Sequence, residues 1–377
     1  MRPARLEISL NAITHNLGVV RSLVGDGVRV IAVVKAEAYG HGALRAAHAC
    51  RRAGADMLAV ALVEEGIALR QQGILTPILV MGAFLPSQAQ EFVAWRLTPA
   101  VMSLEQATAL SAAAHRLRVE LSAHLKVDTG MSRGGLRHDS LRELLPQLAA
   151  LPALRYEGIM SHLADPANSA EFTDRQRELF ADAVAQVTAV LGPVPYQHLA
   201  ASAAICCRPD CHFTTVRPGN MLYGALEDVP TEGRPPLRPA MALKACIALL
   251  KPALAGEVVS YGCTYRVPRD TTLAVVPVGY ADGYPRALSS QAEALVGGQR
   301  CPLVGRVCMD SVMVDVGGVP TCRVGDEVVL LGRQGEETIT VEELARRAGT
   351  ITQEIMARMG SRLPRVYMDD EQGTTDA

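Results

Sequence analysis

Short apolar runs rich in Val, Ile and Ala alternate with Ala- and Leu-rich helical stretches over about the first 225 residues. The runs are "VRVIAVVK", "MLAVA", "PILVMG", "TPAVMS", "LSAHLKVD", "YEGIMSH", "YQHLAAS" and "TTVRPGNMLYG"; stretches such as "GALRAAHACRRAG", "LVEEGIALRQQG" and "LEQATALSAAAHRL" separate them. Strands separated by helices pair in parallel, because only a long crossover brings the chain back to the same end of a sheet. Eight repeats of that unit predict a (β/α)8 barrel. A doubly wound open sheet is the alternative, and it is weakened because no GxGxxG follows the first strand.

The pattern breaks at "EGRPPLRPAM", where prolines cluster and the long helices stop. After it come "MALKACIALL", "EVVSYGCTYR", "TTLAVVPVGY", "CPLVGRVCMDSVMVDV" and "DEVVLLG", interrupted by one short helix, "VEELARRAG". The expectation is a barrel over 8–235 and an all-β domain over 236–365, joined by an N-terminal strand within 1–7, with 366–377 as a disordered acidic tail. A 377-residue chain that is 49% hydrophobic has ample material for two cores.

The net charge of −2 supplies no basic field for nucleic acid. No stretch reaches the ~20 apolar residues of a membrane helix, and "MRPARLEISLNAITHNL" has no apolar signal core, so the expected location is the cytoplasm. Nine cysteines at irregular spacing read as free thiols. The cluster Cys206, Cys207, Cys211 and His212 lacks the CxxC pairing of a zinc site, so no metal is expected.

In a barrel of this kind the chemistry sits where strands end. Lys35 ends the first run, Lys126 and Asp128 the fifth, His162 the sixth, Ser202 the seventh, and Arg217 with Gly219 the eighth. Taken singly, Lys35 is a strand-end lysine reaching solvent. Taken together, these groups converge on one mouth and call for an anionic ligand, with small Ser and Gly loops offering N–H groups to a phosphate. A lysine able to form a Schiff base, a phosphate cradle and an arginine for a pyridine nitrogen point to pyridoxal phosphate.

Six segments, in chain order, resemble those of the alanine racemase family: "AVVKAEAYGHG", "LKVDTGMSRGG", "VRPGNMLYG", "VSYGCTY", "PVGYADGYPR" and "VGRVCMDSVMVDV". The resemblance covers nearly the whole chain. It implies that Lys35 carries the cofactor and is the base for the D-face of the substrate. Tyr261 is then the base for the L-face, acting across a homodimer on the partner's barrel. It further implies that His162 and Arg217 help that phenol ionise, and that Tyr39, Ser202, Gly219 and Asn220 hold the phosphate. Arg133 is placed near the substrate carboxylate, and Met309 contacts substrate from the partner with Asp310 supporting. Tyr280 and Tyr284 line the entrance; turn-flanking packing is the alternative for Tyr284. Lys126 matches a lysine often carbamylated in the family, with an unmodified Lys126 paired to Asp128 as the alternative. The implied activity is interconversion of L- and D-alanine, supplying D-alanine as a peptidoglycan precursor.

Three positions depart from the family pattern. Glu37 and Ala201 each stand where Asn is usual, and Gln353 stands where a tyrosine reaches the phosphate and narrows the pocket. Gln353 encourages a second reading, a racemase that accepts serine or larger amino acids. A decarboxylase of basic amino acids is disfavoured because the pyridine partner is Arg217 and not an acid. A non-catalytic cofactor-binding protein is disfavoured by the β domain. One contact of this size changes discrimination by ~1–3 kcal/mol. Gln353→Tyr is therefore expected to raise the kcat/KM ratio of alanine over serine modestly, and an unchanged ratio contradicts the wider pocket.

Overall fold

The computed structural model describes residues 2–368. After β1 (Ala4–Ile8) come the barrel strands β2 (Arg29–Val33), β3 (Met57–Val60), β4 (Ile78–Val80), β5 (Thr98–Val101) and β6 (Leu121–Asp128). A two-residue strand β7 (Leu136–Arg137) follows, then β8 (Leu154–Met160), β9 (Tyr196–Ala201), β10 (Thr215–Arg217) and, beyond the barrel, β11 (Met241–Cys246). Every pairing among β2–β6 and β8–β10 is parallel, and β5 pairs β6 to close the ring, so the fold is an eight-stranded barrel. β7 lies outside the ring on the edge of β6.

The strand pleat sorts side chains by parity. Ile31, Val33, Met57, Ala59, Leu79, Ala100 and Met160 form a separate cluster inside the barrel. Their neighbours Val30, Ala32, Leu58 and Val60 join the larger core under the helices. The first run ends earlier than the sequence reading has it: the strand stops at Val33, and Lys35 opens a turn.

The second part of the chain is a sheet in the order Gln299–Pro302, Glu293–Val296, Glu327–Gln334, β11, β1, Arg365–Tyr367, with a smaller sheet of Leu249–Ala253, Thr271–Val276 and Val312–Asp315. β1 runs antiparallel to β11 in register Leu6↔Leu243. The tail begins later than expected. Arg365–Tyr367 is a strand beside β1, because β1 would otherwise present an open edge; Leu6 N–H donates to Pro364 O and Met368 N–H to Ile8 O. The remaining tail, 369–377, lies outside the described residues. The helix count also differs: Val341–Ala348 is followed by a second helix, Thr352–Ala357. That second helix is anchored from the barrel side, where Glu227 accepts from Thr352 N–H. No helix of the described residues is long and apolar enough to cross a membrane.

Gly158 is required by a close approach inside the barrel. A Cβ there would sit 2.5 Å from the His124 ring, which is buried and has nowhere to move. Gly158→Ala is expected to lower stability by ~1–3 kcal/mol through overpacking. The urea midpoint measures it, and an unchanged midpoint contradicts the constraint.

Candidate active site

The inward parity that carries the barrel's apolar core continues into polar residues at the strand ends. Ile31 and Val33 lead to Lys35; His124 leads to Lys126 and Asp128; Gly158 and Met160 lead to His162; Thr215 leads to Arg217 and Gly219; on β9 a register shift against β10 intervenes between His198 and Ser202. A cavity of about 730 Å³ opens there, and Lys35, Tyr39, Lys126, Arg133, His162 and Arg217 are among its walls. Ser202, Gly219, Asn220 and Gln353 line it too.

Arg217 is fully buried and has only neutral partners. Its Nη1 donates to His198 O at 2.5 Å and His198 Nδ1 at 3.0 Å; Nη2 donates to Ser161 O at 2.7 Å, Leu199 O at 3.2 Å and His162 Nδ1 at 3.2 Å. Burial pulls its pKa down to about 9. A guanidinium has no acceptor, so these contacts settle the histidine tautomers. His198 Nδ1 accepts, so its proton is on Nε2, which donates to His124 Nδ1 at 2.8 Å. The His124 proton is then on Nε2, facing Glu157 Oε1 at 3.9 Å. By the same logic the His162 proton is on Nε2, away from Arg217.

Lys35 lies 6.0 Å over the Tyr39 ring, and its pKa is lowered first by burial and then by Arg133, against the opposing charge of Glu65. Lys126 donates to Met81 O at 3.4 Å, and burial, Arg133 and Arg217 push it down to about 8. The alternative partner, Asp128, is otherwise engaged: Asp128 Oδ1 accepts from Gly130 and Ser132 N–H, holding the loop that carries Arg133. Among the described residues no ion pair joins Lys126 to Asp128.

Beside the Lys35 strand, Ser202 Oγ accepts from Gly219 N–H at 3.0 Å and Met221 N–H at 3.3 Å. A Cβ on Gly219 would sit 2.7 Å from Tyr39 Oη, so only glycine leaves the space beside that hydroxyl open. Asn220 donates to Thr352 Oγ1 at 2.9 Å, tying the barrel to the helix that begins there. Thr352 Oγ1 in turn donates to Gln353 Oε1 at 3.4 Å. Glu37 has a local use: it accepts from Ala43 N–H at the start of the helix Ala43–Arg52.

Tyr261, Met309, Tyr280 and Asp310 are not brought to this cavity. Tyr261 is 71% exposed and lines a separate cavity of about 500 Å³ on the β-rich part with Ser260, Cys308 and Met313. Met309 and Tyr280 are exposed, held side by side as Tyr280 N–H donates to Cys308 O and Ala281 N–H to Met309 O. Asp310 pairs with Arg362 at 2.7 Å, which also reaches the buried Asp282. Tyr284 does not line an entrance. It is completely buried among apolar neighbours, since the turn after Asp282 folds it inward. Cys207 donates to Ala203 O and His212 Nε2 to Ile205 O, both within local backbone contacts.

Two family models match the chain: alanine racemase, N-terminal domain, over residues 8–227, and alanine racemase, C-terminal domain, over 240–367. The chain belongs to the alanine racemase family. It is an isomerase. A relative named alanine racemase from Desulfovibrio desulfuricans is 42% identical over 370 residues, covering 98% of this chain and 99% of the relative. The alanine racemase of D-cycloserine-producing Streptomyces lavendulae superposes with a TM-score of 0.93 at 34% identity, covering 98% of this chain and 97% of that one. That of Bacillus anthracis with bound L-Ala-P gives 0.91 at 33% identity, covering 99% and 96%.

Three residues around the racemase cavity escaped the sequence reading: His124, His198 and Glu65. The two histidines had a legible signal, since each lies on the parity of a polar strand end. Glu65 had only a capping signature, an acid three residues after Leu62.

Four histidines whose pKa values are lowered by desolvation give a pH prediction. Burial moves His41 to about 4, His124 and His162 to about 3, and His198 well below its usual value. The unfolded chain binds protons at these rings near pH 6.5 and the folded chain does not, so stability is full above that pH and lost as pH falls toward the folded values. Each ring contributes a slope of up to ~1.4 kcal/mol per pH unit. The urea midpoint is expected to drop steeply between pH 7 and pH 5, and a flat midpoint across that window contradicts burial of these rings as neutral species.

Proposed function

We propose that this chain interconverts L- and D-alanine, using pyridoxal phosphate and two bases drawn from two subunits of a homodimer. The observation that carries the reading is that the lysine, the buried arginine and the glycine-serine cradle stand at the ends of the neighbouring strands β2, β10 and β9 and line one cavity. The fit to the cofactor is supported by Gly219, whose missing Cβ leaves room beside Tyr39 Oη while its N–H donates to Ser202 Oγ. In this reading Lys35 bonds the cofactor, Tyr39, Ser202, Gly219 and Asn220 hold the phosphate, and Arg217 faces the ring nitrogen. When bound, the cofactor supplies a conjugated ring that delocalises the electron pair left when Cα loses its proton.

The residues do the rest. Lys35, with its amine pKa lowered by burial, removes or returns the proton on one face of Cα. The partner subunit's Tyr261 serves the other face; its exposure on the β-rich part leaves it available to a second copy. His162 Nε2–H is the donor that stabilises the phenolate. Arg217 keeps its proton and so discourages a second one on the ring nitrogen, which restrains side reactions. Arg133 orients the substrate carboxylate, and the partner's Met309 bounds the substrate, with Asp310 and Arg362 fixing its loop. Tyr280 lines the entrance from the same side. Neutral Lys126 is a nucleophile for carbon dioxide, and the carbamate would neutralise Arg133 beside it. The division near residue 236 belongs to this reading, since each part supplies one base. Nine free cysteines suit a reducing cytoplasm.

A racemase of wider range is the second reading, favoured by Gln353 in the cavity wall. The two-base reading is tested with Tyr261→Phe. Racemisation in both directions is expected to fall by ~10²–10⁴-fold. In heavy water D-alanine still exchanges its α-hydrogen through Lys35 with retention, while L-alanine exchanges far more slowly, as read by NMR and chiral analysis. Equal exchange of both enantiomers rules out Tyr261 as the second base.

A further inference from the structure

Lys35 sits on backbone that is unfavourable by itself. The four residues after it are all non-glycine and all left-handed: Ala36 at φ 52°, Glu37 at 53°, Ala38 at 53° and Tyr39 at 54°. Left-handed backbone costs L-residues roughly 1–2 kcal/mol each, and such runs persist only where their surroundings hold them. Part of the support is local, with Ala38 N–H donating to Val34 O and Gly40 N–H to Ala36 O. Part comes from the distant C-terminal strand, where Arg365 Nε donates to Gly40 O at 2.8 Å.

The contact at the lysine itself comes from Glu65, in the first turn of the helix Val63–Gln71. Its Oε1 accepts from Ala36 N–H at 2.5 Å. Its Oε2 accepts from Ala61 N–H at 2.7 Å and Leu62 N–H at 3.0 Å. Capping that helix occupies only one of the two oxygens. The other accepts from the first amide of the left-handed turn that follows the neighbouring strand β2.

We propose that Glu65 is a positioning residue for the reaction, holding the left-handed turn so that the Lys35 amine is aimed into the cavity. This rests on the reading of Lys35 as the cofactor-bearing base. The geometry separates the role from plain helix capping, because Ala36 belongs to a different element from the helix that Glu65 starts. The carboxylate has an electrostatic consequence as well. Arg133, Lys126 and His162 face the Lys35 amine with the Tyr39 ring, and the negative charge of Glu65 opposes the cations among them.

The test uses the full-length holoenzyme. Glu65→Asp keeps the charge and the cap but is one methylene too short to serve Ala36 and the cap together. Amide exchange at Ala36, followed by mass spectrometry of its peptide, is expected to quicken by roughly tenfold or more, one lost hydrogen bond's worth. A reacting group displaced by about 1 Å costs up to roughly 10²-fold, so kcat is expected to fall toward that limit in both directions with KM little changed. Glu64→Ala, which removes the adjacent acid in the same turn, should leave both readouts as they are. Unchanged Ala36 exchange, or faster exchange with unchanged kcat, overturns the proposal. Should Glu65→Asp fail to fold, Glu65→Gln keeps the length and removes the charge. The acid limb of kcat is then expected to move to lower pH, because the amine that is free in the substrate complex loses its facing carboxylate, and an unmoved limb overturns the proposal. Borohydride reduction and peptide mapping of the parent enzyme separate the two levels. A pyridoxyl label on a residue other than Lys35 removes the underlying reading, whereas a label on Lys35 with a silent Glu65→Asp removes only the role of Glu65.

Discussion

A buried cation with no counter-charge lies at the mouth of this barrel, at the end of β10. Arg217 is 2% exposed and is solvated by carbonyls of Ser161, His198 and Leu199 and by two neutral imidazoles. Removing such an ion from water costs on the order of several kcal/mol, even after relaxation. The carbonyls that offset this belong to β9 and to the segment just after β8, so the arrangement exists only because β8, β9 and β10 are neighbouring parallel strands. The electrostatics of the mouth follow from it. His162 and His198 are held neutral beside the guanidinium, and Lys126 loses affinity for its proton. A site built in this way is short of negative charge, and it suits a ligand that brings a phosphate and a carboxylate.

The second constraint is mechanical. Lys35 is placed by a turn that the local chain does not favour, and its bracing comes from far away in sequence. Glu65 holds the front of the turn, while Arg365 and the Asn220–Thr352 bond bring the β-rich part against its back and against the cradle. The same β-rich part leaves Tyr261, Tyr280 and Met309 exposed. One copy of the chain therefore completes the support of Lys35 but leaves Tyr261 exposed. That division of labour is the physical basis for expecting a shared site between two copies.

Much of this was legible in the residues. The eight β-branched runs and the proline-rich break at "EGRPPLRPAM" carry the architecture, because strand pleat and crossover length leave few other ways to bury such a pattern. The parity of Lys35, Lys126, His162, Ser202 and Arg217 at strand ends carries the identity of the mouth. What stayed hidden depends on contacts between distant segments. Tyr284, in a turn beside Tyr280, is indistinguishable from an entrance aromatic until Asp282 is seen to fold it inward. Asp128 looks like a partner for Lys126, but its oxygen is used by the backbone of the following loop. The strand Arg365–Tyr367 reads as the start of a polar tail, and only the open edge of β1 makes it a strand.

The sequence by itself determined which groups face the interior and which end of the barrel they gather at, since alternation along a strand is a local property. The tertiary structure alone decided how those groups are held: the left-handed turn after Lys35, the tautomers running from Arg217 through His198 to His124, and the acceptor that Glu65 lends to Ala36. The reason is that a positive φ in Ala, Glu or Tyr has no side-chain signature. It is chosen by hydrogen-bond acceptors that arrive from strands and helices many residues away.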